Sequence, residues 1–209
     1  MKPIYFSILL ISLVTPSSRA QAPSYAVYKI NPAQSRIALI VFSEGLLKAL
    51  GHNHTIRAKS FSGKVQFDSE NMEASSVSVS LDAGSLIVLD DPDLAEKDRN
   101  EVQATMQGVK VLNIKAFPQI VFDSTHIDHA GKTGEDFTVT GKLTLHGVER
   151  EISLPVRVHS ESNLLRATGV VTLVQSNFGI KPIRSGLGTL RVKDQVELSF
   201  DIAAERVVP

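Results

Sequence analysis

Apolar and polar residues alternate with a period of two along much of this chain, and that pattern constrains the fold more than any other feature. Val77, Val79 and Leu81 alternate with Ser76, Ser78 and Ser80. Phe137, Val139, Leu143 and Leu145 share one parity, as do Ile152, Leu154, Val156 and Val158. The last run sets Val196, Leu198, Phe200, Ile202 and Ala204 against Gln195, Glu197, Ser199, Asp201 and Glu205. In extended backbone, successive side chains point to opposite faces, so each segment has one face to bury and one to leave wet. Val65 with Phe67, and Ile120 with Phe122, repeat the pattern on a shorter scale, while Ser35 to Phe42 (SRIALIVF) reads as a deeply buried strand. A mainly β fold follows. An open sheet of about eight such strands would leave unpaired edges, and closure into an antiparallel β-barrel removes them. A β-sandwich is the competing arrangement.

The period changes once. Between Leu94 and Leu112, Val102, Met106 and Val109 recur at spacings of four and three, with Gln103, Gln107 and Lys110 elsewhere on the wheel. This predicts one substantial helix, entered from the acidic turn Asp90 to Asp93, whose carboxylates suit a helix N-terminus. A short helical turn is expected over Glu44 to Leu50, and a hairpin connection at His146-Gly147. Pro155 carries no amide hydrogen and predicts an edge or bulge position.

Lys2, the apolar run Ile4 to Val14, and the small-residue endings Ser18-Arg-Ala20 and Ala20-Gln-Ala22 form an export signal over residues 1–20, with cleavage after Ala20 or Ala22. The run is short for a membrane span, and residues 23–209 are expected to form a single domain in the periplasm or outside the cell. The chain has no Cys, which rules out disulfide staples, thiolate metal ligation and a cysteine nucleophile. Its 22 Lys plus Arg balance 22 Asp plus Glu, giving no basic surface for nucleic acid and no expectation of a nucleic-acid partner. Stability must come from the core.

No GxSxG, HExxH, Walker A or GxGxxG pattern occurs, and the scattered Ser, Asp and His residues form no nucleophile elbow; an enzyme is not expected. The one local cluster with ligating chemistry is Gly51-His52-Asn53-His54. In extended backbone His52 and His54 project to the same side, so both imidazoles can approach one metal, but no spacing identifies the further ligands that a tight site needs. Hydrogen bonding at a loop-to-strand junction is the simpler role. His126 and His129 read as solvated residues flanking a turn, and His146 as a turn residue near a barrel rim. The inward positions are Val65, Phe67, Phe122, Val139, Leu143, Ile152, Leu154, Phe178 and Phe200. They either pack a filled core or line a cavity, since a barrel of about eight strands allows both.

Several segments together resemble the YceI-like family. They are Tyr28-Lys-Ile-Asn-Pro32 followed by SRIALIVF, Gly63-Lys-Val-Gln-Phe-Asp68, and Phe117-Pro-Gln-Ile-Val-Phe-Asp-Ser124. Val139-Thr-Gly-Lys-Leu-Thr-Leu-His-Gly-Val148, Ile152-Ser-Leu-Pro-Val156 and Asn177-Phe-Gly-Ile180 complete the series. Gln175-Ser-Asn177 stands where the family carries a more charged stretch. The resemblance implies an extended, lipocalin-like antiparallel barrel with an associated helix, in a family where some members bind polyisoprenoids or other long-chain amphiphiles. It points to an exported binding or carrier protein holding a long-chain apolar or amphiphilic lipid noncovalently, with no cofactor and no permanent membrane span. The alternatives are a structural or interaction domain with a filled barrel, and a metal-dependent accessory protein using the GHNH segment.

Overall fold

A computed structural model describes residues 25–44, 53–89, 94–130, 135–185 and 190–208. The export signal, the turn expected after Glu44, His52 and the acidic turn at 90–93 lie outside the described residues. Twelve strands are present: β1 (Ala26–Ile30), β2 (Arg36–Glu44), β3 (His54–Ala58), β4 (Phe61–Phe67), β5 (Ser76–Asp82), β6 (Leu86–Val88), β7 (Gln119–His129), β8 (Asp136–Leu145), β9 (Val148–Glu161), β10 (Leu164–Val174), β11 (Arg184–Ser185) and β12 (Leu190–Arg206). Among the described residues one α-helix, α1 (Glu96–Gln107), joins them.

The order β1-β4-β5-β7-β8-β9-β10-β12, with β12 returning to β1, closes an eight-stranded antiparallel barrel. The closed arrangement replaces the sandwich alternative. β2, β3 and β6 extend the wall beyond it. β1 and β2 pair in turn with the same long strand, Ile30 opposite Ala204 and Arg36 opposite Asp201, so they are two halves of one kinked strand. β3 and β4 continue each other in the same way, as do β5 and β6, because β2 pairs with β3 where β1 pairs with β4, and β3 with β6 where β4 pairs with β5. At the first kink the Ser35 hydroxyl fills the gap in the ladder. It accepts from the Ala203 amide at 2.9 Å and donates to the Asn31 carbonyl at 2.7 Å.

Among the described residues no strand pairs with the far edge of β6, and α1 packs against it. Met106 is buried and Val102 packs beside it, as the helical spacing requires. Gln103 and Gln107, read from the sequence as polar wheel positions, instead reach the edge of β6 and the short helical turn, Ala83–Ser85, that precedes it. Gln103 donates to the Leu86 carbonyl at 2.8 Å and accepts from the Val88 amide at 2.7 Å, and Gln107 donates to the Gly84 carbonyl at 3.0 Å. The helix is shorter than expected. It stops before Gly108, a poor helix residue, whose backbone turns to an extended conformation. Val109 therefore leaves the apolar stripe and is 77% exposed.

His126 and His129 lie within β7 rather than at a turn, because that strand runs three residues past a register shift at Ser124/His126. Both are exposed, and His126 Nε2 meets Asp128 at 2.8 Å. Pro155 lies in an interior strand, where β9 still pairs with β8 but its ladder with β10 has stopped at Arg157 opposite Thr168. The missing N–H falls where the ladder with β10 is not formed. Among the described residues no helix is long and apolar enough to cross a membrane.

Candidate functional site: an apolar tunnel with a polar mouth

The barrel interior is not continuously packed. It encloses a cavity of about 740 Å³ that runs from Ile127, Val156 and Val158 at one end to Arg191 and His54 at the other. The inward parity of each strand supplies the lining. Val65 comes from β4, Phe122 from β7, Val139 and Leu143 from β8, Ile152 and Leu154 from β9, and Phe200 from β12. Phe178, only 2% exposed, enters from the short helical turn that follows β10.

Eight of the nine inward positions expected from the sequence thus meet around one space. The ninth, Phe67, does not reach it. It is the last residue of β4, past the end of the cavity, and its ring packs edge-on against Tyr28 with centroids 6.0 Å apart. Parity is correct there, but strand position along the barrel axis is not legible from alternation.

The polar residues of the lining are gathered at one end. Ser43 is one residue from the end of β2, His54 opens β3, Gln175 follows the end of β10, and Arg191 is second in β12, while Asp98, Glu101 and Thr105 project from α1. The depth of the tunnel is lined by aliphatic and aromatic side chains. Such a cavity is amphipathic along its axis. A tail entering it gains by burial of apolar surface, about 0.8 kcal/mol per CH2, whereas a polar head is stranded unless it stays at the mouth.

Beyond the mouth lies a second space of about 1290 Å³, which shares Glu101, Thr105, Ile183, Arg191 and Val192 with the tunnel. Its outer wall includes Lys110, His146, Lys181, Arg184 and Asp194. The hairpin expected at His146-Gly147 forms this rim. Both residues have positive φ, 53° and 73°, as a two-residue loop between β8 and β9 demands. Only glycine fits at 147, since a Cβ would overlap the Phe117 ring. That ring packs edge-on against the His146 imidazole, 4.8 Å between centroids. His146 Nδ1 lies 3.2 Å from the Phe178 carbonyl; a carbonyl only accepts, so Nδ1 carries the proton.

His54 lines the mouth of the tunnel, and the Asn53 side chain accepts from the Ser43 amide at 3.2 Å, tying the start of β3 to the end of β2. Asn53, the third residue of GHNH, thus holds this loop-to-strand junction through its side chain. No group of three or more His, Asp or Glu side chains suited to a metal assembles among the described residues.

The YceI-like domain model matches residues 28–204. A UPF0312 protein of Enterobacter sp. (strain 638) is 31% identical over 159 residues, 76% of this chain and 73% of the relative. Protein YceI of Salmonella arizonae is 27% identical over 164 residues, 78% of this chain and 76% of its own. Among solved structures, Burkholderia cenocepacia BcnA superimposes with a TM-score of 0.66 at 23% identity, covering 83% of this chain and 98% of that one. A polyisoprenoid binding domain from Saccharophagus degradans, implicated in plant cell wall breakdown, superimposes with a TM-score of 0.60 at 13% identity, covering 87% and 99%. With the barrel, its helix and the family's sequence pattern all present, the chain belongs to the YceI-like family.

Proposed function

We propose that this protein is an exported carrier that holds a long-chain amphiphilic lipid, of the polyisoprenoid class, noncovalently inside its barrel. The observation that carries the reading is the division of the tunnel into an apolar depth and a polar mouth. Its volume falls in the range of about 300–1,000 Å³ usual for small-molecule sites. The binding residues are Val65, Phe122, Val139, Leu143, Ile152, Leu154, Phe178 and Phe200. The similar fold of a polyisoprenoid binding domain supports the same class of ligand. The open interior weighs against a filled structural barrel, and no catalytic step is needed for uptake or release.

The test is native purification followed by lipid extraction and mass spectrometry, beside protein stripped of lipid. A co-purifying long-chain species in near-stoichiometric amount is expected. Absence of any such species, together with no saturable uptake across a panel of long-chain lipids, overturns the reading. Export is tested on the same preparation: the intact mass should correspond to a chain beginning after Ala20 or Ala22, and cytosolic material retaining Met1 would exclude it.

A further inference from the structure

The barrel wall is only partly laddered on one side. β9 and β10 are long neighbouring strands, yet their ladder runs only from Leu164 opposite Glu161 to Thr168 opposite Arg157. Both strands continue past that point, each held on its other edge: β9 pairs with β8 back to Val148, and β10 pairs with β12 on to Val174. Among the described residues no ladder pair joins residues 148–156 to residues 169–174.

Two residues mark the start of this seam. A Cβ at Gly169 would overlap the Pro155 carbonyl and the Phe200 ring, so the backbones approach there because 169 carries no side chain. In a strand the N–H and C=O of one residue point to the same edge. The Pro155 carbonyl lies against β10, so the donor that proline lacks is the one that would carry the ladder onward. The far end of the seam is tied by a side chain instead of backbone, with Arg150 Nε donating to the Asn177 carbonyl at 3.1 Å.

The seam is apolar behind and uncharged in front. Ile152, Leu154 and Leu173 line the tunnel behind it. Its outer lip consists of Ser153, Pro155, Val170 and Thr172, all exposed, and Val170 is an apolar side chain 53% exposed. Where the wall is laddered, the same two strands carry ion pairs on the outside, Arg157 with Asp136 and Arg166 with Asp201. Open strand edges are usually blunted by charge, and this one is not.

We infer that the β9–β10 seam is a lateral portal through which the hydrocarbon tail of the lipid crosses the barrel wall. This rests on the carrier reading above. Parting the strands here breaks no ladder, whereas parting laddered neighbours exposes unpaired backbone groups. A tail that crosses sideways meets Val170 outside and Leu154 and Leu173 inside, and it avoids threading end-on past the polar residues of the mouth.

The experiment staples the seam. The chain has no Cys, so an introduced pair is unambiguous. Continuing the register beyond Thr168 opposite Arg157 sets Thr172 opposite Ser153, and both are exposed, so Ser153→Cys/Thr172→Cys leaves the core untouched. Oxidation, or a short bifunctional thiol reagent where the sulfurs stand too far apart for a disulfide, closes the pair. Transfer of geranylgeraniol from phosphatidylcholine vesicles to lipid-free protein, and back, is then timed. Closure should slow loading and unloading alike by about ten-fold or more while affinity changes by less than about two-fold, and opening the staple should restore both rates. The control is Thr140→Cys/Ser153→Cys, direct partners in the β8–β9 ladder whose hydroxyls lie 3.0 Å apart, and closing it should leave the rates unchanged. Val170→Asp places a charge on the lip at an exposed site and should slow both directions without changing affinity. A closed seam that loads at the open rate, equal slowing by the control staple, or undiminished rates in Val170→Asp overturns the portal and leaves the carrier reading standing. Failure of the unsubstituted protein to take up the lipid at all sinks both.

Discussion

The side-chain amide of Gln103 pairs with β6 as a neighbouring strand would: its oxygen accepts from the Val88 amide at 2.7 Å and its nitrogen donates to the Leu86 carbonyl at 2.8 Å. One glutamine thus satisfies the exposed edge of the extension and anchors the helix that borders the tunnel mouth. Buried or half-buried backbone groups left without partners cost about 1–3 kcal/mol, so this contact is structural first.

Gln103→Leu keeps the helix propensity and the bulk but removes both bonds. The variant should lose about 1–3 kcal/mol in urea unfolding, and the Val88 amide should exchange with solvent markedly faster. Gln107→Leu, which removes a single bond to the Gly84 carbonyl, should cost less. Unchanged stability in Gln103→Leu would show that water substitutes for the amide.

Trp placed at Val139 or Leu143 fills part of the tunnel, because both side chains line it. Uptake of a polyisoprenoid should fall in each variant, while Lys142→Trp, on the outer face beside Glu149, should have little effect. Circular dichroism and thermal melting come first, since overpacking can cost about 1–3 kcal/mol on its own. Folded variants with undiminished uptake would place the lipid elsewhere.

Gly147→Ala should destabilise the protein by about 1–3 kcal/mol. Two effects act together: the positive φ of 73°, and the overlap of the new methyl with the Phe117 ring. Gly147→Ala combined with Phe117→Ala relieves only the second, so a thermal melt of the pair separates strain from contact.

Zn²⁺ and Cu²⁺ titrated into the protein and into His52→Ala/His54→Ala should show no tight one-to-one site that the substitution abolishes. His54 faces the tunnel mouth beside the Asn53 to Ser43 junction, so the double variant should instead loosen that junction and lower the melting temperature slightly. Stoichiometric metal binding lost only in the variant would reverse this assignment.

His159 should titrate above the value of about 6.5 usual for histidine, because Glu161 at 3.0 Å, and then Glu135 at 3.6 Å, favour the imidazolium. A raised pKa in the folded state means that its stabilising contribution is fully present below about pH 6.5 and is lost as pH rises through the folded value. The group is fully exposed, so the effect on global stability is small and NMR titration is the measurement that reads it. Glu161→Gln should bring the midpoint down.

The alternation around Val139, Leu143, Ile152, Leu154 and Phe200 determined, before any tertiary contact was known, that these side chains share an inner face. Backbone pleating dictates that result locally. The same local rule located the His146-Gly147 hairpin and the strand that ends the chain. It is silent on position along the barrel axis, so Phe67 shares the parity of residues that meet the tunnel although it closes against Tyr28. Kinks were also hidden. The Asn31-Pro32 pair is a turn signal in sequence, and only the pairing of β1 and β2 with one edge of β12 shows a bend within a single strand there.

Gln103 and Gln107 show the limit from the other side. A helical wheel sorts residues by polarity, and an amide that completes a sheet edge has the same polarity as one in water. The division of the interior into an apolar depth and a charged mouth arises from strand ends, α1 and the 181–184 segment, which are far apart in sequence. Whether the inner face would enclose a space or fill itself depended on how the eight closing strands, their extension and the helix come together around it, a balance of side-chain volume against barrel radius that no single segment contains.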